Sequence, residues 1–283
     1  MIKFSSNLHA TMWISTKGLT KDREKEVIQV ITDNIDQENL IFYGYCFGKF
    51  DLIVEFIDNS AKVASNKVCN LQEKISESLK KRRPQISDPI CSSLTLGAKI
   101  SNQDETSPRN MDKYPIRMYT FLKPINKYVN LSAILSNLNK DMEIFWNASS
   151  YSFLLTTNGK NFHETFNKIL QYRLSTERIF SESCTYVGLH WEKADEECKR
   201  EIDALVFIKL KRGFGELKLK NREDDIWEVK KRLGWFDISL KYKKGARTLK
   251  ELKETILYLR QNHIGDIEST STILFPKEEL LYE

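Results

Sequence analysis

A short pattern that places a carboxylate just after a turn occurs twice in the sequence. It reads Gly48-Lys49-Phe50-Asp51 in the first copy and Gly234-Trp235-Phe236-Asp237 in the second, and each copy continues into apolar residues typical of a strand. A weaker third copy has Ser152 in place of the aspartate. A carboxylate at this position can accept hydrogen bonds from a ligand's ammonium group or from the backbone of its own turn. The repetition predicts that the chain contains copies of one structural unit.

Histidines and cysteines show no spacing that would hold a metal or activate a nucleophile. The four histidines are scattered, with no carboxylate at metal-ligand spacing. The five cysteines are widely separated and form no CxxC pair, which argues against a zinc ribbon or a disulfide framework and suits a reducing cytoplasm. No GxSxG motif, Walker-type loop or paired-carboxylate arrangement is present. We therefore expect no metal, no cofactor and no enzyme activity.

The composition is that of an ordinary globular chain. Of its 283 residues, 41% are hydrophobic and 29% are charged, and the net charge of +5 is well below that of a dedicated nucleic-acid binder. No stretch approaches the ~18 consecutive apolar residues of a membrane span. The first residues, Met1 to Ser6, lack the apolar core of a signal peptide. We expect a cytoplasmic protein that binds neither a membrane nor DNA directly.

The elements that would position the two aspartates recur in one order: strand, helix, strand, strand, helix, strand. Such a unit folds as a four-stranded antiparallel sheet with both helices on one face, the ferredoxin-like arrangement, because its crossovers are right-handed. We predict an α+β protein with three tandem ferredoxin-like units, namely unit 1 at 7–97, a degenerate unit 2 at 116–191 and unit 3 at 203–283. The polar, proline-containing stretch 98–115 is predicted to be a linker.

The strand sequences indicate sheets that are buried on both faces. Leu52 to Val54 and Leu205 to Ile208 are apolar at every position, whereas a solvated face would give alternation. We therefore predict that the antiparallel sheets pack face to face, as in dimeric α/β barrels. Three sheets cannot all pair within one chain, so we expect a homo-oligomer, most simply a dimer. The charged run from Glu192 to Ile202 contains no proline or glycine and is predicted to form a short helix.

The turn, its strand and a closing strand rich in serine and threonine together resemble the C-terminal effector domain of the Lrp/AsnC (feast/famine) transcription regulators. Unit 3 carries the resemblance best, from Leu233 to Leu240 and from Arg260 to Leu274. The resemblance implies sheet-to-sheet dimers and small amino-acid-like effectors bound at their interfaces. Members of this family usually begin with a helix-turn-helix domain, and we expect none here because unit 1 starts within about ten residues of Met1. By the same resemblance the ligand contacts would be Gly48, Asp51, Thr95, Gly234, Asp237, Thr270 and Thr272.

The sequence thus predicts a non-catalytic regulatory protein that senses an amino acid or a related metabolite. It would act on transcription through a partner, for example a DNA-binding regulator of the Lrp/AsnC class, and the ligand would bind two assembly states with different affinity. Two alternatives stay open: a structural scaffold whose units pair without a ligand, and an enzyme built on a dimeric ferredoxin-like fold. Asp51 and Asp237 also have a purely structural interpretation, as residues that shape a hairpin turn.

Overall fold

The structure, a computed structural model, is of the mixed α+β class and contains two antiparallel sheets. One predicted ligand contact, Gly234, and most of the predicted linker 98–115 lie outside the residues that it describes. In the part of the chain that is described, no helix is both long and apolar enough to cross a membrane. The described residues are 2–16, 21–82, 91–101, 114–126, 128–147, 151–211, 217–219, 223, 225–232, 235–263 and 265–277.

Three successive groups of elements follow one another along the chain. The first group is β1 (Lys3–Ser15), α1 (Lys21–Asn34), β2 (Leu40–Phe47), β3 (Leu52–Asp58), α2 (Ala61–Arg82) and β4 (Cys91–Ser101). The second is β5 (Ile116–Pro124), α3 (Leu131–Ser136), β6 (Met142–Asn147), β7 (Phe153–Gly159), α4 (Phe162–Ser175) and β8 (Phe180–His190). The third is β9 (Ile202–Leu210), β10 (Trp227–Lys231), β11 (Ile238–Tyr242), α5 (Leu249–Asn262) and β12 (Ile267–Pro276).

Strands β1 to β8 close into one barrel, in the order β1-β3-β2-β8-β5-β7-β6-β4. Two seams close it: β2 pairs with β8, where Cys46 lies opposite Gly188, and β4 pairs with β6, where Ala98 lies opposite Trp146. Closure therefore covers the edges of both four-stranded halves within a single chain, along the residues that pair in the two seams. It also corrects the predicted start of the linker, because Ala98 belongs to β4, which continues to Ser101.

Alternate residues of the barrel strands face two different cores. Met12, Val54 and Met118 belong to the core that includes the buried faces of the helices. The other set, which includes Trp13 and Tyr119, fills the barrel interior. The Trp13 ring centroid lies 5.3 Å from that of Tyr119, and Trp13 is 2% exposed. The interior is therefore a packed core of side chains, as expected for a small barrel.

A buried ion-pair cluster in the barrel interior joins the two halves. Arg117 donates from Nε and Nη2 to the Glu55 carboxylate at 2.7 and 2.9 Å, and Tyr119 donates its hydroxyl to the same carboxylate at 2.8 Å. Burial alone would raise the pKa of Glu55, but Arg117 and then His9 lower it to about 2. Charges buried this deeply are tolerated only when they are fully paired. Glu55 from the first half and Arg117 from the second therefore require each other.

Strands β9 to β12 form a separate sheet in the order β10-β11-β9-β12. We call it the third sheet, since the two four-stranded halves of the barrel count as the first and the second. Ile208 on β9 and Leu240 on β11 are fully buried in one apolar core with Leu252 and Leu259 of α5. This order of strands, with the first beside the third and fourth, matches that of each barrel half. The described residues between β9 and β10 include no helix.

The charged segment from Glu192 to Glu201 does not form the predicted helix. It lies in an irregular conformation, and the Asp195 carboxylate accepts hydrogen bonds from the N–H groups of Leu249 at 2.5 Å and Lys250 at 3.3 Å. These donors belong to the first turn of α5, where N–H groups have no partner within the helix and a negative charge is favourable. The segment thus caps a distant helix, which explains its acidic content without a helix of its own.

Acid should destabilise the protein through Glu55. A carboxyl group whose pKa falls from 4.5 to about 2 on folding contributes on the order of 3 kcal/mol of stability, present above pH 4.5 and lost as the pH falls towards 2. Urea unfolding between pH 7 and pH 2.5 should show this loss. Glu55→Gln should cost roughly 3–5 kcal/mol at pH 7, because it leaves Arg117 without its main partner, and should flatten the acid dependence.

The matched control is Glu182→Gln, since Glu182 is an exposed carboxylate that pairs with Lys123 on the barrel surface. This control should lower the free energy of unfolding by less than about 1 kcal/mol. Equal acid dependence in the wild type and in Glu55→Gln would contradict the role assigned to the buried pair.

Candidate ligand-binding cavity

A cavity of about 500 Å³ lies where the barrel meets the third sheet. Its volume falls within the range of small-molecule sites. The walls come from three distant parts of the chain: the turn after β2, helix α4 with the barrel strands β5 and β8, and strand β12. Half of the lining residues are apolar, namely Phe47, Met118, Phe162, Phe166, Ile169, Leu170, Val187, Ile273 and Leu274.

The charged side chains in the described lining are both cations, Lys49 and Arg173. Arg173 lies in the last turn of α4, where a positive charge interacts favourably with the helix dipole. Its Nη1 atom is buried and has no hydrogen-bond partner among the described residues. A buried donor left without a partner costs roughly 1–3 kcal/mol of stability. The cavity thus combines an apolar surface with two positively charged side chains, Lys49 and Arg173.

Strand β8 contributes a polar edge to the cavity. Its pairing with β2 begins only at Val187, so the edge from Ser183 to Tyr186 is not covered by β2. Burial first, and then the charge and hydrogen bond of Cys184, raise the pKa of Tyr186 well above its ordinary value. The phenol therefore stays protonated at neutral pH and can donate a hydrogen bond. Cys184 is an exposed free thiol at the same edge.

Gly48 shapes the opposite wall. Its φ of 143° lies in a region that L side chains rarely adopt, and a Cβ at this position would come within 2.5 Å of the Tyr186 ring. Its carbonyl oxygen accepts a hydrogen bond from the N–H of Thr272 at 3.0 Å, which holds β12 against the turn. Gly48 and Thr272, two of the predicted ligand contacts, therefore both line the cavity.

Asp51 and Thr270 meet beside the cavity, at the contact between the barrel and α5. Asp51 Oδ1 lies 3.0 Å from Arg260 Nη1, and a second nitrogen of Arg260, Nη2, donates to the Thr270 hydroxyl. Asp51 Oδ2 accepts the N–H of Thr16 at 2.8 Å. The Asp51 carboxylate is 4% exposed and is occupied by groups of its own chain.

Asp51 and Asp237 make the same backbone hydrogen bond in their respective sheets. Asp237 Oδ2 accepts the N–H of Leu210 at 2.8 Å, as Asp51 Oδ2 accepts that of Thr16. In both sheets the carboxylate ties the end of the first strand to the start of the third. These bonds are the ones expected if the two aspartates serve to shape the turn. A ligand contact at either aspartate stays a prediction.

The absence of this aspartate from the middle repeat has a physical explanation. The register of β5 with β7 places Pro124 where Thr16 and Leu210 lie in the other two sheets. Proline has no N–H group, so an aspartate at position 152 would find no donor there. Ser152 is compatible with this backbone and removes an unsatisfied carboxylate.

The remaining predicted contacts lie away from the cavity. Thr95 is in the barrel interior, where its hydroxyl accepts a hydrogen bond from Trp13 Nε1 at 3.0 Å. Asp237 lies at the start of β11, and Gly234 is outside the described residues. Lys49 and Arg173 were not predicted from the sequence. The available signal for Arg173 was its place in the last turn of the amphipathic helix α4.

Metal donors do not converge on the cavity. Among the described residues, no group of three or more His, Cys, Asp or Glu side chains could hold a metal ion. The described lining of the cavity includes no histidine. His9 contacts Glu55 in the barrel interior, and His263 lies 2.8 Å from Glu223 beside α5.

Comparison with known proteins gives weak likenesses to solved structures. No protein-family model matches the chain, and no curated protein matches it. One similar structure is a heme-binding protein of Thermus thermophilus, with a TM-score of 0.48 and 11% identity, covering 68% of this chain and 93% of that one. Another is a candidate chlorite dismutase, with a TM-score of 0.43 and 8% identity, covering 66% of this chain and 95% of that one.

These comparisons correct the function expected from the sequence. We expected a non-catalytic transcription regulator of the Lrp/AsnC type, whereas the two similar structures are described as a heme-binding protein and as a candidate chlorite dismutase, an enzyme. The regulatory role and the exclusion of enzyme activity are therefore both withdrawn. At 8% and 11% identity the likeness concerns the arrangement of strands and helices, and no ligand or reaction is transferred by it.

The two turn aspartates should differ in their effect on stability. Asp237→Ala removes one hydrogen bond to a backbone N–H and should cost roughly 1–3 kcal/mol. Asp51→Ala removes the equivalent bond and also leaves the buried Arg260 without its carboxylate, so it should cost roughly 3–5 kcal/mol. Urea unfolding of both variants measures the difference. In a protein that already carries Arg260→Leu, Asp51→Ala should lower the free energy of unfolding by less than it does in the wild type. An equal loss in both would contradict the coupling between Asp51 and Arg260.

Proposed function

We propose that the cavity is the binding site of a small molecule with an apolar body and one anionic group, a carboxylate or a phosphate. The observation that supports this most directly is Arg173, a cation that lines the cavity among apolar side chains and whose buried Nη1 atom has no hydrogen-bond partner among the described residues. A guanidinium presents its donors as a planar fork that matches a carboxylate or phosphate. The ligand's anionic group would therefore contact Arg173.

The apolar part of the ligand would lie against α4. Phe162, Phe166, Ile169 and Leu170 form one stripe of this helix towards the cavity, at the three- and four-residue spacing of one helix face. Burying apolar ligand surface there would contribute about 25 cal/mol for each Å² removed from water. Lys49 adds a second positive charge at the exposed side. An amino acid, with a charged ammonium group as well as a carboxylate, would match this lining less well.

Heme fits these residues poorly. Protein ligands to heme iron are histidine, cysteine thiolate, tyrosine and methionine paired with histidine. The described lining contains no histidine, the raised pKa of Tyr186 keeps its phenol protonated, and Cys184 lies at an exposed strand edge. The proposal therefore assigns no step to heme.

Binding of decanoate and of its uncharged analogue decanol tests the role of Arg173. Displacement of the fluorescent anion 1-anilinonaphthalene-8-sulfonate should give a preference for decanoate of roughly 10- to 100-fold, because a hydrogen bond to a charged group contributes about 1.5–3 kcal/mol. Arg173→Met keeps the apolar stem and should remove this preference while leaving decanol binding nearly unchanged.

Two controls make this result specific to the cavity. Arg178→Met removes an exposed arginine just beyond α4 and should leave the preference intact. Decanoate should slow alkylation of Cys184 by iodoacetamide, while the exposed Cys69 on α2 should react at its original rate. Retention of the decanoate preference in Arg173→Met, or equal protection of both cysteines, would refute the proposed site.

Catalysis in the same cavity is a second candidate function. The observation that favours it is the exposed thiol of Cys184 on the same strand edge as Tyr186, which places a nucleophile near a proton donor. A thiol that attacks 4-nitrophenyl decanoate would release 4-nitrophenolate and retain the acyl group on Sγ. We expect a burst of about one 4-nitrophenolate per chain if this function holds, lost in Cys184→Ser and kept in Cys69→Ser. If the wild-type chain gives no burst of 4-nitrophenolate, the catalytic function is rejected and ligand binding remains as the proposed function.

The finer architecture is also a proposal. We propose that the chain consists of three copies of one ferredoxin-like unit. The equal strand order in the two barrel halves and the third sheet supports this, as does the shared hydrogen bond of Asp51 and Asp237. The resemblance of the unit to Lrp/AsnC effector domains stays a prediction about fold.

A further inference from the structure

An aromatic pair recurs at one position in all three sheets. One ring comes from the first strand of the sheet. The other belongs to the residue directly before Asp51, Ser152 or Asp237, at the start of the third strand. The ring centroids lie 5.7, 6.1 and 5.5 Å apart in Trp13–Phe50, Phe121–Tyr151 and Phe207–Phe236, respectively.

In the barrel the pairs Trp13–Phe50 and Phe121–Tyr151 face each other across the interior, so each pair shields the other from solvent. The rings of Trp13 and Phe121 lie 5.8 Å apart across the interior, and Trp13 is 2% exposed. The third pair has no such counterpart in the described chain. Phe207 lies on the face of its sheet that points away from α5, since its neighbours Val206 and Ile208 face the helix. Phe207 remains half-exposed, and Trp235, next to Phe236, is 85% exposed.

We propose that a second copy of this chain covers this open face, so that the two third sheets pack against each other about a two-fold axis. The occupant is identified by the barrel itself, in which two sheets of the same strand order already pack in this manner, aromatic pair towards aromatic pair. The face also carries charged residues such as Lys241, and its exposed aromatic rings together with these charges are typical of an interaction surface.

Charge complementarity supports the choice of a second copy. Lys241 in β11 occupies the register position that Glu55 holds in β3, and Asp203 in β9 occupies the position that Arg117 holds in β5. The signs are reversed, and within one chain Asp203 is 7% exposed and already interacts with Lys277 and Lys241. A two-fold arrangement would bring the partner subunit's Lys241 to this cluster, at the position where Glu55 meets Arg117 in the barrel. One association thus creates the same contact twice.

The contact would involve the sheet faces more than the sheet edges. Pro276 lies near the end of the edge strand β12, at the register position of Leu189 in β8. Proline lacks the N–H that a continuous ladder would need at this position. Thr272 at the same edge already donates its N–H to Gly48. We therefore expect the aromatic and charged contacts to carry the association.

A charge-exchange experiment tests the proposal. Light scattering coupled to size-exclusion chromatography, with sedimentation equilibrium, should find the wild-type chain as a dimer. Lys241→Asp and Asp203→Lys should each be mainly monomeric, because each places like charges together twice. An equimolar mixture of the two variants should form a heterodimer, since both contacts then join opposite charges. Lys244→Asp, outside the sheet, is the charge-matched control and should remain a dimer.

A second variant tests the aromatic contact and guards against misfolding. Phe207→Glu should raise the dimer dissociation constant roughly 30-fold or more, as for a central aromatic residue of an interface. Tyr258→Glu, on the exposed face of α5, should leave it unchanged. Circular dichroism should show that each variant is folded, and if Asp203→Lys is not, Phe207→Glu carries the test. A wild-type chain that is monomeric at about 100 µM, or a dimer insensitive to Phe207→Glu, overturns the proposal.

Discussion

The paired charges of Arg117 and Glu55 are the constraint on which the rest of the structure depends. Both side chains are 1% exposed, so neither charge is tolerable in the barrel interior without the other. Glu55 belongs to the first barrel half and Arg117 to the second, so the pair fixes which strands face each other and in which register. That register ends the β2–β8 seam at Phe47 and Val187. The strand edge beyond it forms one wall of the cavity.

The third sheet completes the cavity because of how α5 is held on the barrel. Arg260 reaches Asp51, and Lys253 lies 4.0 Å from the centre of the Tyr45 ring and 3.6 Å from Glu24. These contacts hold β12 opposite the uncovered edge of β8, and the space between the two strands and α4 becomes the cavity. A ligand there would touch both the barrel and the third sheet. Its binding would therefore stabilise their mutual position in proportion to its affinity for the joined state.

Local features of the fold were predictable from the sequence, and features that join distant strands were not. The helices and most strands follow from apolar periodicity, and the Gly48 turn follows from residue type. By contrast, Glu55 appears in the sequence as one polar residue within an apolar strand, and nothing local identifies Arg117, 62 residues away, as its partner. Arg173 was missed for the same reason, since its neighbours in the cavity come from β8, β12 and the turn at Gly48.

Equivalent positions in the three sheets can be compared residue by residue. Residues that recur are those that each sheet needs in order to fold, and residues that differ can serve a function. The aromatic pair recurs in every sheet, and the turn aspartate recurs except where Pro124 removes its donor, because each sheet must join its first strand to its third. Some positions that differ between the sheets carry no such constraint. Cys184 stands where the register places Ser93 and Ser271 in the other sheets, and Lys49 stands where the third sheet has Trp235. Both departures in the barrel line the cavity, whereas the tryptophan lies in the turn beside the open face of the third sheet. Cys184, Lys49 and Trp235 therefore lie at the surfaces where we place ligand binding and association.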